Sequence, residues 1–422
     1  MGEVWRSGCH AGSAILSFKL PVHRLRWLAV SVFVLSSSLN YLDRSLLAAL
    51  APAIKDEFRI DDEGFGYLVA AFSLAYALSS PLTGIALDRF GLNRVAMVMV
   101  GAWSAISAFT GMTRNYVQLV ACRIGLGVAE SGGIPAVAKM GALYLPADQR
   151  ALGSALGQVG LTLGGTLAPL VGVGLAVKYG WRFPFLLTGV IGLLWIPLWW
   201  LVARRIPPAE PTHSDNWEGS GPLDKRLVLL VAANVMWMTI YSLWTNWTTL
   251  YLQRVHHLTL GQTAKYAWIP PIASNLGGFL GGWLALRWIR QGRAAVPARL
   301  RVILLSALGG LFTLLVPLAP GPGWGIAAIS VGYFWTLAGS VNIYTIPIDL
   351  YGAAQAGRAI AALVFAFGLL QTVISPVIGH LVKTVGYGPV CWMVALPPLL
   401  AWAILRFGLR DQDGSQLFAG RT

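Results

Sequence analysis

Twelve apolar stretches of about twenty residues, separated by short polar turns, set the limits on what this chain can fold into. They lie near residues 26–52, 64–87, 95–113, 116–144, 151–178, 182–203, 226–252, 262–288, 299–319, 324–350, 358–383 and 388–407. Each is long enough to cross a bilayer as an α-helix. No water reaches backbone groups in the hydrocarbon core, so only helices and closed barrels are admissible there. Continuous runs of this length are not the alternating ten-residue strands of a barrel. Composition agrees: of 422 residues, 56% are hydrophobic and 11% charged, against about a quarter charged in soluble domains. Disordered, coiled-coil, collagen-like and disulfide-scaffold classes are excluded on the same grounds. The expected fold is an all-α membrane protein with twelve transmembrane helices in two pseudo-symmetric six-helix bundles.

The longest polar stretch, RRIPPAEPTHSDNWEGSGPLD from Arg204 to Asp224, is rich in Pro and Gly and divides six spans from six. The expected organisation is an N-terminal segment 1–25, a bundle 26–203, a linker 204–225, a second bundle 226–407 and a tail 408–422. The net charge of +14 is spread singly through the loops, which suits an orientation signal and not a nucleic-acid surface. With both termini cytoplasmic, about 21 Lys and Arg lie inside and about 8 outside. The first outer loop is acidic instead, with Asp56, Glu57, Asp61, Asp62 and Glu63. Cys9, Cys122 and Cys391 are isolated and odd in number, so neither a disulfide framework nor a metal motif follows, and no cofactor is implied. The first 25 residues lack a signal-peptide core and cleavage site.

A weak internal repeat joins the halves. GIALDRFGLNRV (Gly84 to Val95) follows the second span, and GGWLALRWIRQG (Gly281 to Gly292) follows the eighth. The first of these resembles the G-x-x-x-D-R-x-G-x-x-R signature of the major facilitator superfamily, through Gly84, Asp88, Arg89, Gly91 and Arg94. A carboxylate and arginines at a helix end can pair across the two bundles and separate as a cavity opens. Taken alone, the same turn is also an ordinary loop carrying a positive-inside arginine. A closer resemblance is to the anion:cation symporters, which include hexuronate and galactonate carriers. It rests on NYLDRSLLAALAPAIKDEF, CRIGLGVAESGGIPAVAKM, RALGSALGQVGLTLGGTLAPL and YGWRFPFLLTGVIG, and more loosely on the seventh and eighth spans. It covers nearly the whole chain and implies import of an organic anion with protons. A bacterial inner membrane and a monomer are the corresponding expectations.

Ionisable residues inside a bilayer are costly and are functional candidates by default. In the first span Ser36, Ser37, Asn40, Asp43 and Arg44 form a polar stripe at helical spacing. Asp43 and Arg44 are about 100° apart around the axis, so each needs a partner on another helix. In the fourth span Arg123 and Glu130 are seven residues apart on one face, with Gly127 between them. A carboxylate balanced between desolvation and a nearby arginine can take up and release a proton. The other reading of the same residues is a fixed pair, Asp43 with Arg123 or Arg44 with Glu130, that only sets packing. The resemblance implies that Glu130 and Asp43 are the proton-coupling sites, Glu130 first. Arg44 and Arg123 are the candidate anion ligands, since a guanidinium holds a carboxylate bidentately. By the resemblance, Tyr41, Tyr76 and Gln158 also stand at substrate-binding positions.

The second half departs from that pattern. Phe365 stands where many sugar-acid carriers have an asparagine, and Leu286 where an acidic residue is expected. Trp244 on the seventh span and Tyr344 on the tenth belong to aromatic stripes that are either packing or a binding wall. These features leave room for a smaller, more apolar or aromatic carboxylate. His380 and Lys139 are expected to be a solvated helix-end residue and a snorkelling lysine. A drug/proton antiporter fits less well, because Pro169 follows Ala168 and not a glycine on the fifth span. A transporter-like sensor would need an output domain, and a membrane enzyme would need a nucleophile or metal cluster that the spans do not supply.

Overall fold

The structure is a computed structural model and describes residues 22–145, 149–206 and 224–409. The described chain is helical in this order: α1 (Val22–Ala49), α2 (Ala51–Phe58), α3 (Asp62–Phe90), α4 (Leu92–Thr110), α5 (Tyr116–Glu130), α6 (Gly133–Tyr144), α7 (Arg150–Leu167), α8 (Val173–Tyr179), α9 (Arg182–Ala203), α10 (Lys225–Trp237), α11 (Thr239–His256), α12 (Leu260–Thr263), α13 (Ile269–Arg290), α14 (Ala295–Gly310), α15 (Pro322–Val385), α16 (Tyr387–Ala395) and α17 (Pro397–Gly408). Among the described residues, ten helical segments are long and apolar enough to span a membrane. The broken pair α5–α6 and the glycine-diluted α13 supply the other two of the twelve. Most of segments 1–25, 204–225 and 408–422 lies outside the described residues.

Several spans differ from the uniform rods expected. The fourth breaks between Glu130 and Gly133. Ser131, Gly132 and Gly133 are weak helix formers, and Pro135 leaves the carbonyl four residues earlier without its donor. In the fifth, a π-helical turn at Ala168–Gly172 absorbs Pro169 and leads into α8. The seventh is interrupted at Met238. The tenth and eleventh, expected as separate helices, are joined through helical turns as α15, which contains the spans Pro322–Tyr351 and Ala356–Val385.

At one end the two halves are latched together. The loop after α2 turns through Arg59 in the left-handed region, and Asp61 then caps α3 by accepting from Gly64 N–H at 2.8 Å. The next residue, Asp62, is buried and accepts from Lys55 of its own half and Arg254 of the other. Lys383 reaches Asp61 at 2.7 Å, and His380 lies 3.4 Å from Glu63. The Lys383 ammonium and the Gly64 N–H hold the Asp61 carboxyl below its usual range, so this contact persists until the pH falls below that range. Beneath the charges, Phe65 meets Trp247 edge-on at 5.5 Å. A side chain at Gly66 would strike the backbone of Ser375 and Pro376, and one at Gly379 the backbone of Asp62. The acidic loop was legible in the sequence; its partners on α11 and α15 were not. His380 is exposed, as expected of a helix end, yet belongs to this latch.

Asp62→Asn weakens the carboxylate shared by Lys55 and Arg254, and Gly66→Val drives a branched side chain into the opposite backbone. Both are expected to move the two halves apart at this end. Spin labels at Tyr67 and Val385 would show the change as a longer distance distribution. Distributions unchanged in both variants would mean that these contacts do not hold the end closed.

Candidate functional site

The centre of the N-terminal half holds four charges. Arg44 on α1 donates through Nε and Nη2 to one oxygen of Glu130 on α5, at 3.2 and 3.0 Å. The Glu130 side chain is fully buried, whereas that of Arg44 is 25% exposed. The arginine therefore keeps a face free while its carboxylate partner does not. Glu130 Oε1 has no hydrogen-bonding partner. Of the two fixed pairs the sequence allowed, Arg44–Glu130 is the one that forms. Among the described residues no carboxylate lies within 4.0 Å of Arg123, and its Nε and Nη1 are buried without partners.

Aromatic rings carry the charge that these pairs leave over. The Arg44 guanidinium lies 5.0, 4.9 and 4.8 Å from the ring centres of Tyr41, Phe72 and Tyr76. Arg123 lies 4.8 Å from the same Phe72 ring. Such contacts strengthen where water is scarce. They require α3 and α5 to lie close, and Gly127 allows it: a side chain there would collide with Phe72 O and Ala75. Sequence reasoning named Tyr76 but missed Phe72, which lies one helical turn away on the same face.

Asp43 faces elsewhere. Buried in the bundle, its Oδ1 accepts from Ser107 of α4 at 3.0 Å, and Ser107 also contacts Thr188 of α9 at 3.0 Å. Arg123 and Glu130 of α5 are close enough to act on it electrostatically.

The C-terminal half offers an uncharged wall. No Asp, Glu, Lys or Arg occurs between Arg226 and Arg254, Lys265 and Arg287, Arg301 and Asp349, or Arg358 and Lys383. Instead Tyr241 packs on Tyr333 at 5.3 Å and Phe367 at 5.7 Å, and Thr245 hydrogen-bonds the Tyr333 hydroxyl at 2.6 Å. Tyr241 and Tyr333 lie near Tyr41 across the two halves, and Tyr344 near Tyr76. Phe365 is half-buried, two residues before Phe367 and about 200° around the helix axis from it. Trp244 is not brought to this wall: it is buried against Tyr251 at 5.7 Å in the apolar core beneath the latch. The side chain of Gln158 lies outside the described residues.

The α3–α4 turn is also formed. Gly91 takes a positive φ of 82° that lets the chain reverse between the helices. Asp88 is 82% exposed and pairs with Lys139 of α6 at 2.6 Å, and Lys139 also donates to Leu87 O at 2.7 Å. Among the described residues the cross-bundle pairing expected of this turn is thus not made; Asp88 is held within its own half. Lys139 does not snorkel freely but ties α6 to the turn. Arg89 stacks on Phe90, and Arg94 is exposed.

Two six-helix halves around a charged, ring-lined centre, with ionisable groups buried at membrane depth, define a transporter. The family model described as Major Facilitator Superfamily matches residues 33–372, and the chain belongs to that family. It is 25% identical to the hexuronate transporter of Escherichia coli (strain K12) over 411 residues, covering 90% of this chain and 94% of that protein. Similarity to the probable sulfoacetate transporter SauU of Cupriavidus necator is 25% over 404 residues, covering 91% and 92%. Among solved structures, a bacterial homologue of the human lysosomal transporter Spinster, inward-facing and occupied, superposes with a TM-score of 0.75 at 19% identity, covering 94% of this chain and 99% of that one. These comparisons agree with the resemblance read from the Asp88–Arg94 turn. The chain is a transporter and not an enzyme.

Arg44→Lys tests the exposed guanidinium. A point-charge ammonium cannot reproduce the two-donor fork or its stacking on three rings. Substrate affinity is expected to fall about tenfold or more, roughly 1.4 kcal/mol, in a binding titration. Unchanged affinity would remove Arg44 from the binding site.

Proposed function

We propose that this chain imports a small organic anion together with at least one proton by alternating access. The observation that carries this reading is the distribution of charge at the centre. Two arginines and two carboxylates balance in one half, and the facing half is neutral. An anion that docks on Arg44 upsets that balance by one charge. A proton on Glu130 restores it and releases Arg44 from its partner at the same moment. Asp43 is the second candidate proton site, with Arg123 a reserve of positive charge nearby. Deprotonation of Glu130 on the other side re-forms the pair and expels the anion. The relatives, a hexuronate transporter and a probable sulfoacetate transporter, support an organic anion in general.

The neutral C-terminal wall narrows the substrate further. A second carboxylate would face only tyrosines and phenylalanines, at a large desolvation cost. The reading is therefore a monocarboxylate with an apolar or aromatic body. The count of basic residues supports cytoplasmic termini with the latch outside, and a bacterial inner membrane and a monomeric working unit complete the reading. The boundaries 26–203 and 226–407 then delimit the two moving bundles.

Uptake into proteoliposomes with an acidic exterior is the direct test, using 4-hydroxybenzoate, lactate, glucuronate and galactonate. Accumulation of 4-hydroxybenzoate or lactate, abolished by an uncoupler, is expected. Glu130→Gln is expected to lose accumulation while retaining exchange, because glutamine mimics only the protonated state. Preferred accumulation of glucuronate or galactonate would overturn the narrower substrate class. Full proton-driven accumulation by Glu130→Gln would remove Glu130 from coupling, and efflux of cations would overturn import altogether.

A further inference from the structure

The N-terminal bundle encloses a partly open cavity of about 270 Å³ that reaches Tyr41, the ring beneath the Arg44 guanidinium. Ser36, Ser37 and Asn40 of α1, Met99 and Trp103 of α4 and Val137 of α6 line it. Its lining carries no charged side chain, yet it is not dry in character. Ser36 and Ser37 give their protons to Phe33 O at 2.7 and 3.3 Å, which leaves hydroxyl lone pairs available. Asn40 Nδ2 and Trp103 Nε1 have no protein partner, although each residue is only 4% exposed. Two orphaned donors beside two hydroxyl oxygens are what buried water satisfies, and the cavity has room for several molecules.

Its position gives it a role. Ala96, near the start of α4 and the α3–α4 turn, lines one end. At the other end, Asn40 precedes Asp43 by three residues on α1, and Trp103 precedes Ser107 by four on α4. Ser107 is the residue that donates to Asp43. On α4, then, the cavity stops one turn short of the residue that donates to Asp43, and on α1 it reaches Tyr41, two residues before Asp43. The groups that face this carboxyl are Ser107 of α4, Thr188 of α9, and Arg123 and Glu130 of α5. Arg44, its neighbour on α1, points instead toward Glu130 and the rings of α3.

We propose that this cavity is a water-filled proton route between Asp43 and the membrane face that carries the α3–α4 turn, running inside the N-terminal bundle, with Asn40 as the positioning residue that orders its water. The proposal rests on the proton-coupled reading above. In the release step the Asp43 carboxylic acid gives its proton to a cavity water. The carboxylate formed is held by Ser107, and the hydronium proton passes outward along the waters held by Asn40, Ser37 and Ser36.

The experiment separates coupling from transport. Uptake driven by a pH gradient and exchange at equal pH are measured side by side in proteoliposomes, with 4-hydroxybenzoate and lactate as the probes. Asn40→Leu removes the donor and fills the cavity. Ala136→Leu fills it from α6 without touching the polar stripe, and Asn40→Ser keeps a hydroxyl and space for water. Both leucine variants are expected to slow driven uptake about tenfold with exchange within about twofold of the parent, and the serine variant to recover most of the driven rate. Leucine variants that accumulate as well as the parent would overturn the route. Loss of exchange in both leucine variants would place the cavity on the substrate path and overturn it equally. A parent protein that exchanges but never accumulates in a pH gradient would instead reject the proton-coupled reading on which the route depends.

Discussion

The Arg44–Glu130 ion pair is the interaction around which the rest of the N-terminal half is arranged. Each partner alone in the bilayer interior would be an uncompensated charge, with a penalty of several kcal/mol. The pair reduces that cost but leaves one carboxylate oxygen and part of a guanidinium unsatisfied. Tyr41, Phe72 and Tyr76 offer their ring faces to what is left. The break after Glu130 ends α5 at that residue, where Gly132 and Gly133 clear the space beyond it. A satisfied pair would be inert. This one is stable enough to fold and incomplete enough to be exchanged for a substrate carboxylate.

The two halves hold unequal shares of the chemistry. All four mid-membrane charges identified lie on α1 and α5, and the opposing face presents rings and hydroxyls. A neutral wall can slide past a charged one without breaking ion pairs at the centre. The ion pairs that join the halves lie instead at the latch, where water can solvate the charges as they part. Close backbone contact at Gly66 and Gly379 gives the latch its shape, and Asp62, shared by two cations, gives it most of its charge contact. Closure and chemistry are thus in different places, and each can be altered with limited effect on the other.

The fold was readable because lipid leaves so few options. Length and hydropathy located all twelve spans, and the Asp88–Arg94 turn identified the family. The four central charges were readable for the same reason: a charged residue in an apolar helix has to be accounted for. What the sequence could not give was direction. Asp43 and Arg44 are adjacent, and only the packing of α4, α5 and α9 shows that one faces the bundle core and the other the centre. Phe72 looked like an ordinary lipid-compatible ring, and Tyr241, Tyr333 and Trp244 stood in aromatic stripes open to packing or binding, since an aromatic residue in a span carries no mark of which surface it faces. The latch was half legible: its acids stood out in an outer loop, but their partners are ordinary helix-end cations until α11 and α15 are placed. The break in α5–α6 depends on local glycine and proline chemistry that hydropathy does not register, and the interruption at Met238 has no glycine or proline to mark it.

The adjacency of Asp43 and Arg44 has a consequence for coupling. On a helix, neighbours in sequence point about 100° apart, so one short segment of α1 reaches two environments. Arg44 serves the space between the halves, and Asp43 serves the interior of its own bundle. Both act on α5, Arg44 by direct contact with Glu130 and Asp43 by its field on Glu130 and Arg123. A change of charge at Asp43 is therefore felt at Glu130 without any movement of the substrate. Because α5 ends at Glu130 and restarts as α6 only at Gly133, the carboxylate sits at a joint and not mid-rod. A shift of that joint on neutralisation would alter the contact between α6 and α1, and α6 also carries Lys139, the partner of Asp88. The same short helix thus connects the central charges to the α3–α4 turn, at the end of the molecule opposite the latch.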